Sequence, residues 1–203
     1  MTKFIPLPDK LWGEAVTAYQ IQFPLTYDTR LQLEQELHEL PIPEGLVLRP
    51  TPIDALHVTC LSIVSPRAPQ YDTSLYWPKV SPSINKVMDD AVRSVDPITL
   101  AFEKILVGDS AIIAVAADIP FLKRIRLELA SRLPPPPDGF SIPDIIHSSL
   151  ARYSDESEKI DLGTKILTDH KFCVHAHIDR LRLIKEMVYP SLSFELIHTS
   201  FFK

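Results

Sequence analysis

Two short apolar stretches of this sequence share one pattern, in which a histidine is followed two residues later by a hydroxyl side chain. The first stretch carries His57 and Thr59, and the second, 90 residues further on (147 − 57), carries His147 and Ser149. Both stretches are rich in aliphatic residues, which indicates buried β-strands. Residues i and i+2 of a strand point to the same face, so each strand should present an imidazole beside a hydroxyl. The repetition predicts a fold built from two similar halves.

The order of the elements predicted around the two strands supports a duplication. Residues 17–64 have the pattern of a strand, a helix, a proline-rich loop and the histidine strand, and residues 111–153 repeat that order. Further helices are predicted at 81–95 and 155–170, and further strands at 98–107, 172–184 and 191–202. Residues 65–80, rich in proline and aromatic residues, are predicted to form a long surface excursion.

The predicted fold class is therefore α+β. We expect a single bilobal domain over residues 1–203, in which pseudo-two-fold-related β-α-β-α-β halves cover roughly 17–107 and 111–203. Two antiparallel sheets would face a central cleft and carry the helices on their outer sides. His57 and His147 would then enter the cleft from opposite lobes.

Composition and charge restrict the classes of protein to consider. A chain of 203 residues with 45% hydrophobic and 23% charged residues suits one globular domain, expected to be monomeric. It has no run of 18 apolar residues and no signal-peptide pattern at its start, so we expect a cytoplasmic protein without a membrane partner. The net charge of −5, without a basic block, argues against long duplex nucleic acid. Cys60 and Cys173 are expected to be reduced core residues.

Two imidazoles on opposite sides of a cleft suit general acid–base catalysis, because histidine titrates near neutral pH. A phosphodiester is the natural substrate. One histidine would deprotonate an attacking water or hydroxyl, and the other would protonate the departing ribose oxygen on the far side of the phosphorus. Thr59 and Ser149 would donate hydrogen bonds to the non-bridging phosphate oxygens. This scheme needs no metal and no other cofactor.

The two segments resemble the paired His-x-Thr/Ser motifs of the 2H phosphoesterase superfamily, which includes 2′-5′ RNA ligase-like proteins and 2′,3′-cyclic nucleotide phosphodiesterases. The run from His147 to Arg152, His-Ser-Ser-Leu-Ala-Arg, resembles the second motif of the ligase-like branch. Ser149 stands where threonine is commoner. The resemblance implies a bilobal fold and a metal-independent two-histidine mechanism. It also matches Arg152 to a phosphate-contacting arginine, although strand parity places Arg152 opposite His147 unless the strand bulges.

The resemblance implies a phosphodiesterase that acts on 2′,3′-cyclic phosphates or 2′-5′ linkages of nucleotides or RNA ends, with 2′-5′ RNA ligation as a further activity. The alternative is a binding module that holds a nucleotide or an RNA end in the same cleft without turnover. The presence of both histidines favours the enzyme, whereas an isolated His–hydroxyl pair would favour a structural role.

Several other residues have two readings. Tyr153, which shares strand parity with His147, and Tyr19 are candidates for base or ribose contacts, with core packing as the alternative. His175 and His177 could be metal ligands, but exposed strand histidines are favoured because no cysteine or carboxylate cluster accompanies them. Solvated faces, with RNA-end contacts as the alternative, are expected for Lys123, Arg124, Arg126, Arg180 and Arg182. In the excursion, Tyr76 and Trp77 are expected to form a small surface cluster, with cover over a bound nucleotide as the alternative.

Overall fold

The strands form two antiparallel sheets. A computed structural model describes residues 6–42, 44–67, 71–137, 139–155 and 172–203. Its strands are β1 (Ala15–Pro24), β2 (Leu48–Pro50), β3 (His57–Val64), β4 (Ile98–Val107), β5 (Ala111–Ala116), β6 (His147–Tyr153), β7 (Val174–Ile178), β8 (Arg180–Val188) and β9 (Ser193–Phe201). Its α-helices are α1 (Tyr27–Glu39), α2 (Thr73–Val92) and α3 (Pro120–Arg132).

Sheet 1 has the strand order β3-β1-β8-β9, and sheet 2 has the order β2-β6-β5-β4-β7. The neighbouring strands pair antiparallel throughout both sheets. His57 therefore lies in sheet 1 and His147 in sheet 2, and the predicted fold class is confirmed. The two lobes differ from the predicted ones in one respect, because each sheet takes strands from both halves of the sequence. Long pairing between β1 and β8, from Ala15 with Val188 to Gln22 with Arg182, brings the end of the chain into sheet 1.

The helices cover the outer faces of the sheets. Helices α2 and α3 pack against β9 and β3 of sheet 1, and α1 packs against β6 and β7 of sheet 2. Strand β1 shows how the sequence separates the two faces of sheet 1. Tyr19, Ile21 and Phe23 are buried in the apolar core. Ala18 and Gln20, which alternate with these residues along the strand, line the cleft. The polar face of sheet 1 is thus turned toward sheet 2.

The excursion predicted over residues 65–80 is partly helical, because α2 begins eight residues earlier than predicted (81 − 73). The Asp72 side chain caps the helix and accepts a hydrogen bond of 2.8 Å from an amide of the first turn. Pro78 and Pro82 lie inside α2, where each lacks an amide proton for the helical ladder. Burial of neighbouring apolar side chains offsets that cost, notably Tyr76, Val80 and Ile84.

Three other element predictions change. The loop predicted before the first histidine strand contains the short strand β2, which pairs with β6. The single strand predicted over 172–184 is divided at Asp179 into β7 and β8, which belong to different sheets. The helix predicted over 155–170 lies outside the described residues except for Asp155.

The two cysteines are free thiols in different environments. Cys60 is buried, as predicted, but Cys173 is exposed just before β7, so the prediction of a core position is wrong for Cys173. Burial raises the pKa of the Cys60 thiol to about 12. Within the described residues, no helix is long and apolar enough to cross a membrane.

Candidate active site

The two His–hydroxyl pairs line one cleft between the sheets, with a volume of about 260 Å³. Strand β3 contributes His57, Thr59 and Ser62, and strand β6 contributes His147, Ser149 and Arg152. The two contributions correspond position by position, since each strand supplies a histidine, a hydroxyl two residues later and a polar side chain three residues after that. The cleft therefore contains two copies of one arrangement, one from each sheet.

A β-bulge in each strand explains the third member of each set. In β3, Thr59 pairs with Gln22 while Leu61 pairs with the adjacent Ile21, so one extra residue lies between them. In β6, Ser149 and Ala151 pair with the adjacent Ile113 and Ile112 in the same way. A bulge reverses the alternation of side chains beyond it. Residue 62 in β3 and residue 152 in β6 therefore face the cleft together with the histidines.

Arg152 is held at the cleft by two polar contacts. Its Nη2 donates a hydrogen bond of 3.3 Å to Ser149 Oγ, and its Nε lies 3.7 Å from Asp9 Oδ2. Both side chains of this ion pair are largely buried, with 14% of Arg152 and 6% of Asp9 exposed. Because Ser149 accepts from Arg152, its own hydroxyl proton is free to be donated into the cleft. The arginine, the hydroxyl and the histidine of β6 thus form one polar cluster.

The backbone orients the His57 ring. Nδ1 lies 2.7 Å from the carbonyl oxygen of Ala55, which requires a proton on Nδ1 and leaves the lone pair on Nε2. Thr59 Oγ1 lies 3.3 Å from that Nε2. The pKa of His57 is lowered to about 4, mainly by burial. The hydrogen bond to Ala55 opposes this shift, and the charges of Arg182, His147 and Arg152 add to it. The ring is therefore neutral near pH 7 and presents a basic nitrogen to the cleft.

His147 is oriented in the same way. Its Nδ1 lies 3.5 Å from the carbonyl oxygen of Ile145, which is again the residue two positions earlier. Burial lowers the pKa of His147, and the nearby charges of Arg152 and Arg126 act in the same direction. Both imidazoles therefore carry the proton on the nitrogen that faces the backbone, and both direct Nε2 toward the cleft.

Arg126 of α3 connects the two strands from behind. One guanidinium nitrogen donates a hydrogen bond of 2.9 Å to the carbonyl oxygen of Thr59, and the other donates one of 3.0 Å to the carbonyl oxygen of Pro143. The first bond is made at the bulge of β3, and the second is made to the segment that leads into β6. Only 3% of Arg126 is exposed, so the prediction of a solvated side chain is wrong at this position.

Solved structures share this arrangement of sheets and helices. One described as a phosphoesterase has 15% sequence identity and a TM-score of 0.61, and the match covers 92% of this chain and 99% of that one. E. coli LigT complexed with 3′-AMP has 14% identity and a TM-score of 0.60, with 93% and 99% covered. TT0787 of Thermus thermophilus has 16% identity and a TM-score of 0.56, with 91% and 97% covered. The chain has the 2H phosphoesterase fold. No protein-family model matches the sequence, and no curated protein is detectably similar to it.

Neither Tyr153 nor Tyr19 lines the cleft. The bulge in β6 turns Tyr153 into the core, where its side chain is fully buried and its hydroxyl donates a hydrogen bond of 3.0 Å to the carbonyl oxygen of Gly108. Tyr19 lies on the outer face of β1 and stacks on Trp77 of α2, with ring centroids 3.6 Å apart. The predicted contacts of the two tyrosines with a base or ribose are therefore corrected to core packing.

The remaining candidates lie elsewhere in the fold. His175 and His177 are exposed on β7. Across the described parts of the chain, no three histidine, cysteine, aspartate or glutamate side chains are grouped so that they could hold a metal ion. Tyr76 is buried and donates a hydrogen bond of 2.7 Å to the carbonyl oxygen of Pro134, so it belongs to the core and not to a surface cluster.

Sequence reasoning did not identify Asp9 and Ser62 as neighbours of the site. Asp9 lies in a proline-flanked segment with no pattern that indicates an ion pair with a residue 143 positions away (152 − 9). Ser62 could have been found by comparing the two histidine strands, because it occupies the position that Arg152 occupies in β6. The signal was the identical spacing of the third polar residue, five positions after each histidine.

Proposed function

We propose that this protein is a metal-independent phosphodiesterase that opens 2′,3′-cyclic phosphates, or cleaves 2′-5′ linkages, at nucleotides or RNA ends. The observation that carries the proposal is the pair of imidazoles that enter one cleft from opposite sheets, each with a hydroxyl two residues away. In-line displacement at phosphorus needs a base on one side and an acid on the other, and this arrangement suits both.

The hydrolysis of a 2′,3′-cyclic phosphate would use both imidazoles in one step. One imidazole removes a proton from water as its oxygen attacks phosphorus, and the bond from phosphorus to the ribose 3′ oxygen breaks. The other histidine, in its imidazolium form with a second proton on Nε2, gives that proton to the leaving oxygen, and a 2′-phosphate results. The hydroxyls of Thr59 and Ser149, with the guanidinium of Arg152, would stabilise the charge on the non-bridging oxygens.

Structures of the same fold support nucleotides as the substrate class. LigT of E. coli has been solved in complexes with 3′-AMP and with ATP. The cleft of this chain offers a guanidinium and two hydroxyls, which suit a phosphate group. RNA ligation, as the reverse use of the same groups, is a further activity that this proposal includes. The alternative is a module that binds the same ligands without turnover.

Hydrolysis of the four nucleoside 2′,3′-cyclic phosphates in the presence of EDTA tests the proposal. We expect turnover to nucleoside 2′-phosphates at a rate that EDTA does not reduce, because protein side chains perform each proton transfer. Chromatography of the products measures both the rate and the position of the phosphate. Tight binding of these compounds with no turnover of them, of RNA ends or of 2′-5′ dinucleotides would favour the binding module.

The pH dependence of kcat/KM should be bell-shaped with a maximum below pH 6.5. The base must be deprotonated, so activity rises as the pH rises through its pKa, and the acid must be protonated, so activity falls as the pH rises through its pKa. Both histidine pKa values are lowered, that of His57 to about 4, which places both limbs on the acidic side. Initial rates measured from pH 4 to 9, with circular dichroism to verify folding at each pH, check this. A maximum at pH 8 would contradict the assignment.

A further inference from the structure

Arg182 of β8 lies in the same cross-strand row as the catalytic hydroxyl Thr59. Gln22 of β1 pairs with Thr59 on one side and with Arg182 on the other, so the three side chains share one face of sheet 1. Neighbouring strands lie about 4.8 Å apart, which puts Arg182 roughly 10 Å from Thr59 across the sheet. Its Nε donates a hydrogen bond of 2.9 Å to Gln22 Oε1.

The charge of Arg182 has no counterion among the described residues. Within the described parts of the chain, no carboxylate forms an ion pair with its guanidinium, whereas Arg152 is paired with Asp9 and Arg180 with Asp179. Arg182 is nonetheless partly buried. Burial, and to a lesser extent the positive charge of Arg30 on α1, lowers the pKa of Arg182 to about 10. A desolvated cation without a counterion is costly unless an anion joins it.

The guanidinium of Arg182 is also held in a fixed orientation. Its central carbon lies 4.9 Å from the centroid of the Phe194 ring on β9, which supports one face of the group. Gln22 fixes Nε from the side. The two terminal nitrogens are therefore positioned without a partner of their own among the described residues. Two neighbouring N–H donors of a planar guanidinium match the oxygens of a phosphate.

The charges of Arg182 and of Arg152 in β6 both act on His57. Its pKa is lowered by the charges of both Arg182 and Arg152, and the effect of Arg182 is the larger. A substrate whose scissile phosphate lies at Thr59 would meet Arg182 if it extends roughly 10 Å along the row of Thr59, Gln22 and Arg182.

We propose that Arg182, supported by Gln22 and Phe194, binds a second phosphate of the substrate, the 5′-phosphate of the terminal nucleotide. This inference rests on the proposed function and narrows its substrate class. The preferred substrate is then an RNA end or a 5′-phosphorylated nucleotide, rather than a nucleoside 2′,3′-cyclic phosphate that has only the scissile group. A contact between a phosphate and a guanidinium would give a preference of about 10- to 100-fold.

The test compares nucleoside 2′,3′-cyclic phosphates with and without a 5′-phosphate, in the wild type, R182Q and R182K. We expect the wild type to prefer the 5′-phosphorylated compounds by about 10- to 100-fold in kcat/KM, mostly through KM. R182Q should lose this preference, and R182K, which retains the charge but not the fork of donors, should keep part of it. The matched control is R180Q on the same strand, because Arg180 also lies over a phenylalanine ring but is paired with Asp179. R180Q should keep the full preference.

Calorimetric binding of nucleoside 2′-phosphates and nucleoside 2′,5′-bisphosphates separates this inference from the proposed function. Tighter binding of the bisphosphates that depends on Arg182, together with no turnover, would support the second phosphate site and contradict the phosphodiesterase. If the wild type turns over and binds the compounds with and without a 5′-phosphate equally well, the inference about Arg182 is wrong. Turnover itself would still support the phosphodiesterase. A preference that R182Q retains would also overturn it.

Discussion

Replacing His57 or His147 with alanine is expected to lower kcat/KM by about 10²–10⁴-fold, the usual contribution of a positioned acid or base. Each imidazole presents Nε2 to the cleft because a backbone carbonyl two residues earlier holds Nδ1. Among the described residues that line the cleft, these two are the only histidines, so no other imidazole there can replace a lost one. The loss should appear in kcat and should leave the melting temperature nearly unchanged, since neither ring belongs to the apolar core.

Initial rates with the nucleoside 2′,3′-cyclic phosphates measure this effect. The double variant should have a kcat/KM only slightly below that of the less active single variant. The effects of removing an acid and a base that act in one step are not additive. The matched control is His177→Ala, which removes an exposed imidazole from β7 in the same sheet as His147. A single histidine variant with nearly full activity and a normal melting temperature would remove that residue from the mechanism.

Removal of either cleft hydroxyl should cost on the order of 10²–10³-fold in kcat, as for a lost donor to an oxyanion. Thr59→Val retains the shape of the side chain but removes the oxygen that lies 3.3 Å from His57 Nε2. Ser149→Ala removes the cleft hydroxyl that accepts a hydrogen bond from Arg152 and can donate its own proton to a phosphate oxygen. The effect should fall on kcat more than on KM, because the charge on the phosphate oxygens grows in the transition state.

Ser148→Ala is the matched control for Ser149→Ala. Ser148 is the preceding residue of β6, lies on the opposite face of the strand, and is fully buried with no hydrogen-bond partner for its Oγ among the described residues. Its loss should leave kcat unchanged and should not lower stability. Equal effects of the two substitutions would indicate that a disturbed strand, and not a lost phosphate contact, lowers the rate.

Much of the fold was predictable because the signals for it are local. Alternating and continuous apolar runs located the long strands, and β4 lies at Ile98–Val107, as predicted. Helix α3 begins at a proline and lies between β5 and β6, in the element order predicted for residues 111–153. Composition misled where tertiary burial outweighs propensity, as in α2, which contains two prolines and begins within the segment predicted as a loop.

The same division applies to the candidate site. The spacing of His57 with Thr59 and of His147 with Ser149 already placed each pair on one face of a strand, since the period of a strand is two residues. Strand parity alone gave the wrong face for both Arg152 and Tyr153. A bulge depends on how a strand is paired with its neighbours, and that pairing is a property of the sheet.

The sequence by itself therefore determined the two-sheet architecture and the two His–hydroxyl pairs, because hydrophobic period and residue spacing are carried by neighbouring residues. Only the tertiary structure decided which further side chains reach the cleft. Asp9 meets Arg152, and Gln22 meets Arg182, across more than 140 residues of chain. Such contacts follow from the register between distant strands and from the bulges that change it, and neither leaves a local pattern in the sequence.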